Sequence, residues 1–146
     1  MFFKGFKPAT LRFYKSSNFY MDRVKFTNEY IFRASPAILY QFLTTPACLI
    51  RWFCDEVDIN DNVFSFFWSG SEEAAELILD IEEEMLRFKW EEADDDAEYL
   101  EFKIMKSPVT AETILEITDY CDDDELEDQK ALWDSQVAKL KRETGG

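Results

Sequence analysis

Side chains able to do chemistry are grouped in few ways along this chain. The carboxylates are the largest supply, with 31 acidic residues, and three triplets stand out: Glu82–Glu84, Asp94–Asp96 and Asp122–Asp124. Closely spaced carboxylates can ligate calcium, but the spacing argues against it here. The best loop candidate begins Asp58, Asn60, Asn62, then has Val63 where an EF-hand needs glycine and Ser69 where it needs glutamate. The triplets read as solvated turns, and no metal site is expected. Histidine is absent, which removes His-based triads, His general bases and the common zinc ligand together. Cys48, Cys54 and Cys121 form no CxxC pair, and an odd number cannot all be paired. They read as small buried hydrophobes in a reducing compartment. The glycines stand at positions 5, 70, 145 and 146, so neither a P-loop nor a dinucleotide fingerprint can be written. No serine or cysteine has a candidate base beside it, and nearly every acid falls on an outward or turn position. The sequence leans away from an enzyme and implies no cofactor.

What remains is burial. Phe64, Phe66, Trp68, Phe88, Trp90, Phe102 and Trp133 lie at positions that converge if strands and a helix present them to one space. Phe42, Trp52 and Val137 close that space, and Asn28 and Thr113 are the inward polar residues by parity. Rings of this kind either line a pocket for a flat apolar molecule or fill the core themselves.

The elements that must position them are legible from Met21 onward. Val24, Phe26, Tyr30 and Phe32 alternate with polar residues, the pattern of a half-buried strand. Ser35-Pro36 gives an N-cap followed by proline at the first helical position, and Thr45-Pro46 repeats it, so two short helices follow. Six strands come next. Val57 and Ile59 share one face. Phe64, Phe66 and Trp68 follow, then Leu77, Leu79 and Ile81, then Leu86, Phe88 and Trp90. Leu100, Phe102 and Ile104 come after these, and Ala111, Thr113, Leu115 and Ile117 last. Asn60–Asn62, Ser69–Ser71 and the acidic triplets supply the turns. A helix of about four to five turns is expected from about Asp124 to Arg142, carrying Leu126, Trp133, Val137 and Leu140 at helical spacing. Acids at its start and Lys139, Lys141 and Arg142 at its end suit the helix dipole. A sheet with one apolar face needs a cover, and this helix is the element long enough to provide it. The expected fold is therefore α+β, a helix-grip: a curved antiparallel sheet of about seven strands, two short helices after the first, and a long C-terminal helix packed on the sheet.

Charge divides the chain. Residues 1–20 hold Lys4, Lys7, Arg12 and Lys15 with no acid, whereas the remainder sets twelve basic against 31 acidic side chains, a charge of −19. The first stretch reads as a basic extension, either floppy or upstream of the true start, and residues 21–146 as the domain. The whole chain carries −15, which disfavours nucleic acid and anionic membrane as partners. Apolar runs are too short to insert in a membrane, and a cytoplasmic location is expected.

The order of elements resembles the START-like, or birch-pollen-allergen-like, superfamily. Within it the branch containing the C-terminal domain of the heat-shock-ATPase activator is most similar. The residues that carry the likeness are Arg33-Ala34-Ser35-Pro36 at the first helix start and Leu43-Thr44-Thr45-Pro46 running to Trp52-Phe53. In the closing helix they are Trp133, Val137 and Leu140. The likeness spans about residues 22–142. Leu132 stands where the family usually has glycine, and without histidine no family activity that uses one carries over. The resemblance implies one of two functions. The first is non-catalytic binding of a small hydrophobic molecule between sheet and helix. The second is a protein-interaction module that meets a chaperone or another basic partner through its acidic face.

Overall fold

The computed structural model describes residues 22–93 and 95–146; the basic extension expected at 1–20 lies outside the described residues. The chain begins with β1 (Arg23–Phe32), followed by the short helices α1 (Pro36–Thr44) and α2 (Pro46–Leu49). Six strands follow: β2 (Glu56–Asn60), β3 (Val63–Trp68), β4 (Ser71–Ile81), β5 (Met85–Trp90), β6 (Leu100–Lys106) and β7 (Thr113–Asp122). A 3-10 turn at Asp123–Glu125 leads into α3 (Leu126–Thr144). The seven strands form one sheet in the order β1-β7-β6-β5-β4-β3-β2, antiparallel at every pairing. This is the expected α+β helix-grip.

Local chemistry explains the boundaries. Ser35 caps α1 by accepting the Ile38 N–H at 3.3 Å, and Pro36 and Pro46 open the two short helices without losing a backbone bond. Ser69 and Gly70 both have positive φ (52° and 82°), the requirement of the tight turn that joins β3 to β4. The α3 helix ends where Gly145 turns left-handed at φ 101°, a conformation that glycine adopts without a Cβ penalty.

Alternation decides what is buried. In β3 and β5 every second residue is buried: Phe64, Phe66, Trp68 and Leu86, Phe88, Trp90. The β4 strand departs from the expected pattern. It starts earlier, at Ser71, and buries Glu73 and Ala75, while Leu77 and Leu79 are only half-buried. The pairing with β5 slips between Leu77 and Leu79, and beyond this bulge Ile78 and Ile81 are exposed at 48% and 43%. At the other end Ala111 belongs to a turn, with φ 65°, rather than to the inward face of β7. The β7 strand instead runs on through Asp119 and Asp122, both buried. Arg23 accounts for Asp122: its guanidinium grips Glu98 through two bonds of 2.7 and 3.0 Å and Asp122 Oδ1 through a third of 3.0 Å. Burial opposes its charge, yet these two carboxylates hold the proton more firmly than in free arginine. Among the described residues, no helix is long and apolar enough to cross a membrane.

Candidate functional site

The concave face of the sheet and the three helices enclose one aromatic core. Strands β3, β5 and β6 present Phe64, Phe66, Trp68, Phe88, Trp90 and Phe102, all buried. The α3 helix lowers Trp133, Val137 and Leu140 onto them, each 1% exposed or less. Trp52 and Phe53, in the turn after α2, close one end. Phe53 sits at the centre, with ring centroids 5.0 Å from Phe66, 5.2 Å from Trp52, 5.4 Å from Trp68 and 6.2 Å from Trp133. Phe102 meets Trp133 edge to face at 5.9 Å, so the rings join helix to sheet in favourable tilted and T-shaped pairs.

Indole nitrogens find partners as they are buried. Trp52 Nε1 donates to the Phe42 carbonyl at 2.9 Å and Trp68 Nε1 to the Phe53 carbonyl at 2.7 Å. Trp133 Nε1 donates to Asp119 Oδ2 at 3.0 Å, which ties α3 to β7 inside the core. Gln136, fully buried, donates to the Trp52 carbonyl at 2.8 Å and fixes the aromatic turn against the helix. Trp90 Nε1 and Gln136 Oε1 have no partner among the described residues.

Among the described residues, the space found between sheet and helix is small. A void of about 10 Å³ remains, lined by Leu43, Leu49, Trp52, Phe53, Phe66, Phe88, Leu100 and Phe102. A single water needs ~10–15 Å³ and polar partners; a small-molecule site occupies ~300–1,000 Å³. The lining offers a water nothing to bond. Of the residues expected to line a cavity, Trp52, Phe66, Phe88 and Phe102 border this void. Phe64, Trp68, Trp90 and Trp133 pack behind them through ring contacts, and Phe42 and Val137 are buried without touching it.

Two polar candidates lie elsewhere. Thr113 is buried at the start of β7, opposite Phe32 on one side and Lys106 on the other. Asn28 is on β1, where its amide donates to Tyr30 Oη at 2.8 Å. It lines an outer groove of about 400 Å³ between β1 and α3. Sequence reasoning missed Leu43, Leu49, Phe53 and Leu100 as lining residues. The signal for Phe53 was the Trp52-Phe53 pair itself: in an irregular turn both neighbours can face inward, which no period announces.

The other groups are quiet. All three cysteines are free thiols, and burial pushes Cys54 and Cys121 up to about 12, which makes them poor nucleophiles. Ligand oxygens of Asp122, Asp124 and Glu125 lie within 4.8 Å of one another, with Asp122 buried and Asp124 exposed. Arg23 Nη1 already lies 3.0 Å from Asp122 Oδ1 and offsets that charge.

Comparison with known proteins supplies the lineage. A family model described as a START-like superfamily domain matches residues 20–146. A search of curated proteins finds no match. The NMR structure of BfR322 from Bacteroides fragilis is 35% identical, with 86% of this chain and 94% of that one covered at a TM-score of 0.62. The solution structure of the Aha1 dimer from Colwellia psychrerythraea shares the fold at 16% identity, covering 83% of this chain and 96% of that one, TM-score 0.68. EF2215 from Enterococcus faecalis, a conserved protein of unknown function, is 21% identical over 91% of this chain and 82% of its own, TM-score 0.63. With its motifs, its strand order and the family match over most of its length in agreement, the chain belongs to the START-like superfamily.

Proposed function

We propose that this domain is a protein-interaction module whose acidic surface meets a basic partner, in the manner implied by its likeness to the heat-shock-ATPase activator branch. The observation that carries the reading is the void of about 10 Å³ between sheet and helix. The rings that could have lined a ligand pocket occupy it themselves, and the indole hydrogen bonds of Trp52, Trp68 and Trp133 hold them in place. Non-catalytic holding of a small hydrophobic molecule would need Phe53 or its neighbours to swing out of contacts at 5.0–6.2 Å. The charge of −15 supplies the alternative means of recognition. A chaperone or another basic protein is the partner class this favours, in a reducing, cytoplasmic setting that keeps the three thiols free.

The test pairs two measurements on the full chain from its own host. Native and denaturing mass spectra are expected to agree; a mass surplus confined to the native spectrum establishes a bound small molecule and overturns the reading. Affinity capture of defined basic proteins, a purified chaperone among them, is expected to weaken steeply as salt rises from about 50 to 200 mM. Capture that ignores salt refutes the electrostatic basis.

A further inference from the structure

Strand β1 is the first in the sheet order, so one of its edges pairs with β7 while the other carries no strand among the described residues. Proteins commonly blunt such an edge with proline, bulges, charged side chains, very short strands or a covering element. The opposite edge, β2, is blunted in this way, with five residues and exposed Glu56, Asp58 and Asn60. β1 carries exposed Lys25 and Glu29 as well, but it runs ten residues in unbroken register, with no proline and no bulge.

The groove of about 400 Å³ lies along this edge. Its floor on one side is the consecutive run Thr27–Tyr30, and on the other Glu127, Lys130 and Asp134 of α3. Side chains alternate across a strand, so four residues in a row share one groove only when that groove follows the backbone edge itself. The Tyr30 hydroxyl donates to Asp134 Oδ1 at 2.8 Å and accepts from Asn28 Nδ2 at 2.8 Å. These bonds hold strand and helix at a fixed separation, so the groove is formed before anything enters it. Glu29, Glu127 and Asp134 outnumber Lys130, and exposed Asp123, Asp124 and Asp128 extend the negative charge past the helix start.

We propose that this groove docks a basic, extended peptide segment of a partner protein, added beside β1 as an eighth strand. Main-chain hydrogen bonds to the free edge supply affinity, and lysine or arginine side chains meeting Glu29, Glu127 and Asp134 supply selectivity. The inference rests on the interaction-module reading and narrows it to one place.

The test is fluorescence anisotropy of the full chain with three labelled octapeptides. One alternates lysine and valine, a second replaces lysine by glutamate, and the third is the lysine peptide with alternate backbone amides N-methylated. The lysine peptide is expected to bind and the glutamate peptide not to. N-methylation removes main-chain donors and is expected to weaken binding about tenfold or more. The double variant Glu29→Lys/Glu127→Lys, both on exposed positions, is expected to weaken it to a similar degree while its melting temperature stays within a few degrees of the parent. Equal binding of the N-methylated peptide overturns strand addition and leaves a general acidic attraction. Failure of every peptide, with salt-sensitive capture of a basic protein intact, overturns the groove but not the interaction module. A concentration-dependent dimer that the lysine peptide cannot disrupt shows the edge to be taken by a second copy and overturns the choice of occupant.

Discussion

Truncating Phe53 to alanine is the sharpest test of a filled core. The ring is 2% exposed and meets Trp52, Phe66, Trp68 and Trp133 with centroids between 5.0 and 6.2 Å. Removing it forfeits the transfer energy of the ring and opens space beside an existing void of about 10 Å³, and a buried Phe→Ala change costs ~3–5 kcal/mol. For a domain of this length each kcal/mol lowers the melting temperature by roughly 3–5 °C, so a fall of about 9–25 °C is expected by circular dichroism. The new cavity is walled by apolar rings and stays dry; an engineered apolar cavity of ~150 Å³ accepts benzene. Benzene is therefore expected to raise the melting temperature of Phe53→Ala and leave the parent unmoved. At ten times its Kd the ligand returns ~1.4 kcal/mol, or about 4–7 °C. Phe53→Leu, which leaves less space, is expected to fall between the two in both stability and benzene response. A parent protein stabilised by benzene as much as the variant would refute the filled core and restore the hydrophobic-ligand reading.

Three further outcomes follow from the same geometry. Trp133→Phe keeps most of the ring but loses the 3.0 Å bond to Asp119; urea unfolding is expected to show a loss of ~1–3 kcal/mol, with a double-mutant cycle against Asp119→Ala giving a coupling well above zero. Arg23→Met removes three bonds to buried Glu98 and Asp122 and is expected to cost ~1–3 kcal/mol. Arg51→Met, whose 58%-exposed side chain lies 3.5 Å from Glu143, stays within ~0.5 kcal/mol; equal losses from the two arginines would contradict the burial argument. Burial raises Cys54 and Cys121 from the ordinary 9 to about 12. In the folded chain the thiols stay protonated where the unfolded chain has begun to ionise, so the stability they contribute is complete below pH 9 and is lost between about 9 and 12. The melting temperature is expected to fall from pH 8.5 to 10, more shallowly in Cys54→Ala/Cys121→Ala, and Ellman's reagent at pH 8 to react first with half-buried Cys48.

Most of the fold was legible because most strands bury one face. Alternation in β1, β3, β5 and β6 survives in the sequence as apolar residues every second position, and Ser35-Pro36 and Thr45-Pro46 mark the helix starts with their own backbone chemistry. The features that were not legible are those where tertiary contacts outweigh side-chain type. The first half of β4 is Ser71-Glu72-Glu73-Ala74-Ala75, which has no apolar period, yet Glu73, opposite buried Phe66 in the pairing with β3, is 7% exposed. Gln129 and Gln136 are polar in type yet share the Trp133 and Leu140 face of α3 and are buried at 4% and 0%; Gln136 donates to a carbonyl of the Trp52 turn. Asp122 reads as the first residue of an acidic turn and is instead the last of a strand, held by an arginine 99 positions away. No local pattern encodes a partner that distant.

The site was less legible than the fold for a physical reason. A helix-grip fold leaves space whose size is a small difference between two large volumes, the one enclosed by the curved sheet and the one occupied by side chains. Sequence parity names the rings that point inward but not their sum against the enclosure. Here one residue decides the matter. With Phe53 turned into the centre, ring distances of 5.0–6.2 Å to Trp52, Phe66, Trp68 and Trp133 leave about 10 Å³; the same backbone with a small residue there would hold a cavity of about benzene-binding size. On the proposed interaction-module reading, recognition comes from the outside, where a ten-residue strand edge lies beside an excess of carboxylates. The closed interior and the open edge are thus linked: a core that resists deformation keeps β1 and α3 at a fixed separation, and a groove of fixed width is what an added strand requires. Phe53→Ala should accordingly weaken binding of the basic octapeptide as well as lower stability. A variant that remained folded, bound benzene and bound the peptide as tightly as its parent would show that the two are independent.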